Sequence, residues 1–139
     1  GDHPSIYENE VHKAINNIEY FDKRALINSW NQSIHSNWQS ASVWVHGDLS
    51  SGNIIEEHGS ISGIIDFGLM CIGDPACDLV PFWTFFEGRS KDIFKSSLGL
   101  VENTWNRSKG WALWKALISL EKGTNIDFNN RVVKRILNS

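Results

Sequence analysis

The chain has 139 residues, of which 41% are hydrophobic and 21% charged, and its formal net charge at pH 7 is −3. This length suits one domain or one lobe, and the composition is ordinary for a soluble globular protein. A slightly acidic chain favours neither a nucleic-acid partner nor an anionic membrane surface, since both attract clustered positive charge. No apolar run approaches the ~20 residues of a membrane span.

Two sequence features bear on the cellular location of the protein, the cysteine content and the first residues. Cys71 and Cys77 are the only cysteines, and no zinc-type spacing connects them to other ligands. The first residues are polar and acidic, which is unlike a signal peptide. These features predict a reduced, cytoplasmic protein.

Two helices are predicted before residue 40. The apolar positions of the first recur at helical spacing between residues 8 and 18: Val11, Ala14, Ile15 and Ile18. Asp22 is a suitable N-cap for the second helix. Its apolar stripe contains Leu26, Trp30, Ile34 and Trp38. We assign these helices to the scaffold, and residues 43–45 to a short strand that leads into a loop.

The next segment has the pattern of a β-hairpin, with β-branched runs at 53–56 and 61–65. Gly59 followed by Ser60 suits a two-residue type II′ turn, which would place Asn53 directly opposite Asp66. Opposed residues have Cβ atoms ~5 Å apart, so an amide oxygen and a carboxylate would meet at one end of the hairpin. Such oxygen ligands suit Mg²⁺ shared with a phosphate. Asp48 arrives at the same end and is left as a candidate base.

Turn chemistry is the plainer interpretation of each of these polar residues taken alone, because Gly, Ser, Asn and Asp are common in turns. Their joint spacing is more specific. His-Gly-Asp at 46–48, with Asn53 and then Asp-Phe-Gly at 66–68, resembles the catalytic and metal loops of the protein-kinase-like fold. With the blocks at 73–78 and 110–117, the chain resembles the aminoglycoside phosphotransferase family of small-molecule kinases from Val11 to Leu137.

The resemblance implies roles for the three polar residues. Asp48 would orient and deprotonate the acceptor hydroxyl, while Asn53 and Asp66 would hold Mg²⁺ against the nucleotide phosphates. Ile55 and Ile65 match family positions under the purine, so they are candidate nucleotide-binding residues. Simple hairpin register places Ile64 opposite Ile55, so this pair requires a bulge or a twist.

Two further residues are candidates for supporting the catalytic loop. His46 has two possible roles, a hydrogen bond to nearby backbone or general-base catalysis, and the first is favoured because Asp48 already supplies the base. Asp78 follows Asp74-Pro75, a pair typical of a helix start. Its carboxylate would either favour the positive helix end, worth ~0.3–1 kcal/mol, or bind the backbone of the loop. The resemblance favours the second role.

Three more helices are predicted in the second half, at 90–98, 103–121 and near 129–137. The long one is apolar on more than one face and is therefore expected to be buried. Tryptophans are numerous, seven in all. Core packing is the favoured role for most of them, and a wall of the substrate site is the alternative.

The predicted fold class is α+β, a mainly helical C-terminal lobe of the protein-kinase-like fold with a small β-hairpin carrying the catalytic and metal loops. Residues 1–139 would form that lobe alone, because the 45 residues before His46 contain no glycine-rich loop. Lys13 and Lys23 lie on helical patterns and not on a nucleotide-lobe strand. Ser50 stands where protein kinases have a lysine, which fits a small-molecule kinase.

The predicted function is a phosphotransferase that uses ATP or GTP with Mg²⁺ to phosphorylate a small-molecule hydroxyl, an aminoglycoside being the acceptor that the resemblance suggests. A kinase of a primary metabolite such as choline or an amino sugar is the alternative enzyme. A non-catalytic binding lobe is the alternative from another class. No nucleic-acid or membrane partner is expected, and the surface that meets a second lobe could mediate self-association.

Overall fold

A computed structural model describes residues 1–139, which form six α-helices and two small antiparallel sheets. The helices are α1 (Glu8–Asn17), α2 (Lys23–Ile34), α3 (Pro81–Thr84), α4 (Gly88–Leu98), α5 (Glu102–Glu121) and α6 (Ile126–Leu137). The strands are β1 (Val43–Val45), β2 (Ile54–Glu57), β3 (Ser60–Ile64) and β4 (Cys71–Gly73). Strand β1 pairs with β4, and β2 pairs with β3. The predicted α+β class is confirmed.

Helix α5 is the centre of the core. It contacts α1, α2 and α6, and its buried side chains include Trp105, Leu113 and Leu117. A helix that is apolar over most of its circumference is stable only when other elements cover it, which matches the prediction from its sequence. Gly110 permits the close approach of α2, because a Cβ there would lie 2.9 Å from the Ser33 Cβ.

Local capping explains where α2 begins. The Asp22 carboxylate accepts hydrogen bonds from the backbone N–H groups of Arg24 and Ala25, at 2.9 and 3.2 Å. The helix ends at Ile34, so Trp38 lies beyond it, and its indole N–H donates to the Ala41 carbonyl at 3.0 Å. The predicted stripe was therefore one turn too long.

The segment after Asp74 differs from the single helix that its sequence suggests. Asp74 caps it by accepting from the Ala76 N–H at 3.0 Å, but residues Pro75–Leu79 form a 3₁₀ helix and α3 begins anew at Pro81. The break arises because Pro81 has no N–H to donate to the preceding turn. The two short pieces together place Asp78 beside the loop that follows β1.

A buried ion pair ties this segment to α5. The Arg107 Nε lies 2.6 Å from the Asp74 Oδ2, and its Nη2 lies 3.3 Å from Oδ1, with the two side chains 1% and 6% exposed. The sequence analysis missed this contact, because a pair 33 residues apart has no local signature. It holds the start of the 3₁₀ helix against the central helix.

The hairpin turn is one residue earlier than predicted. His58 and Gly59 are its two central residues, with φ of 53° and 80°, which is the pattern of a type I′ turn. Ser60 belongs to β3 and pairs with Glu57. A register shift follows between Ile55 and Glu56. The turn prediction was wrong because Gly59 takes the second central position and His58 accepts the left-handed conformation.

Candidate active site

The loop from His46 to Asn53 joins β1 to β2, and Asp78 anchors its first residues. The Asp78 Oδ2 accepts from the His46 N–H at 2.6 Å, and Oδ1 accepts from the Gly47 N–H at 2.9 Å. Both carboxylate oxygens are thus used on backbone of the loop. Of the two arrangements considered for Asp78, the structure contains the one in which the carboxylate binds the backbone of the loop. Asp78 is therefore a candidate for loop support.

Removing the Asp78 carboxylate is expected to destabilise the fold. In Asp78→Ala, two part-buried N–H groups lose their acceptor, and each such group costs about 1–3 kcal/mol. Urea denaturation should show a decrease in unfolding free energy of that order. The matched control is Asp92→Ala, which removes an exposed carboxylate from α4. Equal stability of the two variants would contradict the anchoring role.

Gly47 brings the loop against the segment that follows Asp66. Its φ is +87°, a region that side-chain-bearing residues rarely adopt. A Cβ at this position would lie 2.3 Å from the Leu69 carbonyl oxygen, far inside contact distance. The glycine of the His-Gly-Asp motif is therefore required both by the backbone and by its neighbour.

His46 connects the loop from His46 to Asn53 with the segment between β3 and Asp66. Its Nδ1 accepts from the Asp48 N–H at 3.3 Å, so the proton is on Nε2, which donates to the Ile65 carbonyl at 2.8 Å. The ring also lies 4.7 Å, centroid to centroid, from Phe67. Because both ring nitrogens are occupied by backbone, the structure favours the loop-holding role over general-base catalysis.

Asn53 and Asp66 do not face each other across the hairpin as predicted. The Asn53 carbonyl accepts from the Ile65 N–H at 3.0 Å, so Ile65 is its neighbour and Asp66 follows directly. The pairing prediction failed because it rested on the wrong turn residues. Asp66 has a φ of 60°, and the regular alternation of side chains ends there. Non-glycine residues held in this conformation often mark functional sites.

The oxygen donors of these two residues fit a magnesium ion. The Asn53 Nδ2 donates to the Asp48 carbonyl at 2.9 Å, which leaves the amide oxygen without a partner. The Asp66 carboxylate likewise makes no hydrogen bond within the chain. No cluster of three or more His, Cys, Asp or Glu side chains could hold a metal by itself. Oxygen ligands this few suit Mg²⁺ that is also bound by a phosphate.

Ile55 and Ile65 lie on the same hairpin but are not opposed. Ile55 pairs with Gly63, and Ile65 is two residues further along, so strand alternation places the three on one face. The Ile55 Cδ1 lies 3.7 Å from where a Gly63 Cβ would be, and thus covers the glycine. Both isoleucines are exposed, which leaves an apolar surface beside the candidate metal ligands.

Sequence reasoning missed Lys115. This residue projects from α5, and its Nζ lies 2.7 Å from the Asp48 Oδ1. The sequence held one signal, since Lys115 is the only charged residue between Gly110 and Leu120 in a largely buried stretch. A charge in such a position usually has a specific partner.

Two clefts open on either side of Lys115, and Asp48 lines one of them. The aromatic cleft, of about 250 Å³, contains Tyr7, Trp111, Trp114 and Leu69 together with Asp48 and Lys115. The second cleft, of about 180 Å³, is lined by apolar side chains that include Val80, Phe128 and Val132, and again by Lys115. Its hydroxyl and amide lining residues are Ser50, Ser51, Thr84, Ser119, Asn125 and Asn129. The catalytic loop borders both clefts, which makes them candidate acceptor sites.

Some tryptophans are buried in the core, and two of the seven also line a cleft. Trp30 and Trp105 are fully buried in the core. Trp114 stacks on Tyr7 with ring centroids 3.7 Å apart, and Trp111 meets both rings edge-on in the wall of the aromatic cleft. Core packing is therefore not the whole explanation.

The Cys77 thiol beside the site is not a nucleophile. Cys77 lines the aromatic cleft, and burial together with the neighbouring Asp78 charge raises the pKa of its thiol to about 12. A thiol with such a pKa stays protonated at neutral pH and is inert. Cys71 and Cys77 are both free thiols.

Comparison with known proteins places this site in a family. Residues 6–111 match the model of the "Phosphotransferase enzyme family". The chain belongs to that family. The resemblance predicted from the motifs is thus confirmed, and the matched range includes the whole segment from His46 to Asp78. No curated protein matches the chain.

A solved structure has the same fold. It is "Macrolide 2'-phosphotransferase type I", with a TM-score of 0.52 and 19% sequence identity to this chain. The match covers 96% of this chain and 49% of the other, so the chain spans about half the length of that structure. At this identity the likeness shows the fold alone.

None of the helices combines the length and the apolar character that crossing a membrane requires.

Proposed function

We propose that this phosphotransferase transfers a phosphoryl group from ATP or GTP to a hydroxyl group of a small molecule, with Mg²⁺ as cofactor. The observation that carries the proposal is the arrangement around Asp48. Its carboxylate borders a cleft, its backbone carbonyl holds Asn53, and Asp66 follows the residue that pairs with Asn53. A base and two oxygen ligands beside a cleft are what phosphoryl transfer to a hydroxyl requires.

Asp48 acts first on the acceptor. Its Oδ2 accepts the hydroxyl proton as the hydroxyl oxygen forms a bond to the γ-phosphorus, and the bond to the β–γ bridging oxygen breaks. The products are the phosphorylated acceptor and the nucleoside diphosphate. Asn53 and Asp66 would hold Mg²⁺, which would offset charge on the phosphates in the transition state. Ile55 and Ile65 form the apolar floor under the purine, while His46 and Asp78 keep the loop in place.

The acceptor class has three candidates. Aminoglycosides are suggested by the family resemblance, macrolides by the solved structure, and choline or an amino sugar by the alternative of a primary-metabolite kinase. A screen of these compounds against the complete protein, with release of ADP or GDP as the readout, identifies the acceptor. Absence of nucleotide turnover with all of them would contradict the proposal.

We further propose that residues 1–139 form the C-terminal lobe of a two-lobe enzyme. The two sheets expose many large apolar side chains, which is typical of a surface that another element covers. The exposed apolar residues lie in the strands and in the segment between β3 and β4, on more than one face: Val43, Trp44, Ile55, Ile61, Ile64, Ile65, Phe67, Leu69, Met70 and Ile72. A second, nucleotide-binding lobe would cover part of this set. In the separated lobe it would favour self-association.

The lobe by itself is expected to bind nucleotide weakly and to transfer no phosphoryl group. A non-catalytic binding lobe would give the same outcome. The reason is that a nucleotide held from one side remains open to water, where charge interactions are strongly weakened. Calorimetry with ATP and GTP in millimolar Mg²⁺ measures this directly. Tight binding or turnover by residues 1–139 would contradict the two-lobe proposal, and turnover by the complete protein separates an enzyme from a binding module.

We place the enzyme in the cytoplasm, where its thiols stay reduced.

A further inference from the structure

Lys115 is the one Lys or Arg side chain that lines either cleft. It extends from α5 between Trp114, which belongs to the aromatic wall, and Ala116, which is buried in the core. Its Nζ lies 2.7 Å from the Asp48 Oδ1. The base is thus held from a helix that is distant in sequence and anchored in the core.

The contact leaves half of the carboxylate free. Asp48 Oδ1 accepts from Lys115, whereas Oδ2 makes no hydrogen bond within the chain. The two side chains are 32% and 40% exposed. Ion pairs this exposed contribute little to folding stability. Stability is therefore a weak reason for a lysine at this place in a largely buried stretch.

We propose that Lys115 is a positioning residue that acts through Asp48. By binding Oδ1 it selects one orientation of the carboxylate and leaves Oδ2 for the acceptor hydroxyl. This inference rests on the proposed function, because it assigns Lys115 a part in that reaction. A base must lie within hydrogen-bond reach of the proton that it removes, and a misplacement of 1 Å can cost about 10²-fold in rate.

The test is Lys115→Met in the complete protein, measured with the acceptor that the screen identifies. We expect kcat to fall by about 10²-fold, with the KM for nucleotide and the thermal unfolding midpoint unchanged. Lys115→Arg keeps a cationic donor and should retain most of kcat. The matched control is Lys122→Met, which removes an exposed lysine at the C-terminal end of α5 and should leave kcat unchanged.

A double variant separates positioning from a direct role. In an Asp48→Asn background, Lys115→Met should cause little further loss, since the group that it orients is no longer a base. A further 10²-fold loss in that background would overturn the proposal, because Lys115 would then act on the phosphoryl group itself. Wild-type kcat in Lys115→Met, with the wild-type protein active, would overturn this inference alone. A wild-type protein that transfers nothing to any acceptor would overturn it together with the proposed function.

Discussion

Asp48→Asn in the complete protein is expected to lower kcat by about 10²–10⁴-fold, the range that general-base catalysis typically contributes. The amide keeps the shape of the side chain but cannot take up the proton of the acceptor hydroxyl at the required rate. Nucleotide affinity should change little, because Asp48 is not assigned to the nucleotide or to the metal. Steady-state kinetics with the acceptor at saturation, combined with calorimetry of nucleotide binding, measures both quantities.

Asp66→Asn provides the contrast. This variant removes the charge of a proposed metal ligand, so the Mg²⁺ concentration required for half-maximal rate should rise while kcat falls. Asp48→Asn should leave the Mg²⁺ dependence near that of the wild type. Near-normal turnover in Asp48→Asn would rule out its assignment as the base, whatever the outcome for Asp66.

Arg107→Met is expected to lower the unfolding free energy by about 3–5 kcal/mol. Arg107 and Asp74 are both buried and bound through two hydrogen bonds, so the substitution leaves the Asp74 carboxylate uncompensated in the core. An isolated buried charge is far more costly than the pair. Urea denaturation of the wild-type and variant chains, both of the same length, measures the difference in their unfolding free energy.

Two further variants test the cause of that loss. Arg131→Met removes an exposed arginine from α6 and should change stability little. Arg107→Met combined with Asp74→Leu removes the unpaired charge and should recover part of the loss, while the cap on Ala76 remains missing. A loss below about 1 kcal/mol in Arg107→Met would mean that the pair does not stabilise the fold.

Local signals accounted for most of the elements. The helical spacing of Val11, Ala14 and Ile15, the cap at Asp22 and the long apolar run of α5 each predicted a helix that the structure contains. Helix ends were less accurate. Helix α6 begins at Ile126, three residues before the predicted start, because the Asn129 N–H already donates to the Asn125 carbonyl. A helix end depends on single hydrogen bonds, whereas a sequence pattern averages over several residues.

The hairpin shows where local reasoning failed. Gly-Ser at 59–60 and His-Gly at 58–59 are both acceptable two-residue turns, and residue preferences alone favoured the first. The observed type I′ turn requires a positive φ at His58, where the Gly59 N–H also donates to the Glu56 carboxylate at 2.6 Å. Moving the turn by one residue changes the predicted partner of Asn53 from Asp66 to Ile64, and the register shift between Ile55 and Glu56 changes it again to Ile65.

The sequence by itself determined the family, the mainly helical fold and the polar residues of the motif, because these depend on residue type and spacing along the chain. The tertiary structure alone decided which of these residues meet. Asp78 reaches His46 and Gly47 across more than 30 residues, and Lys115 reaches Asp48 across 67. Such contacts follow from the packing of α5 and the 3₁₀ helix against the loop, and no periodicity along the chain encodes that packing.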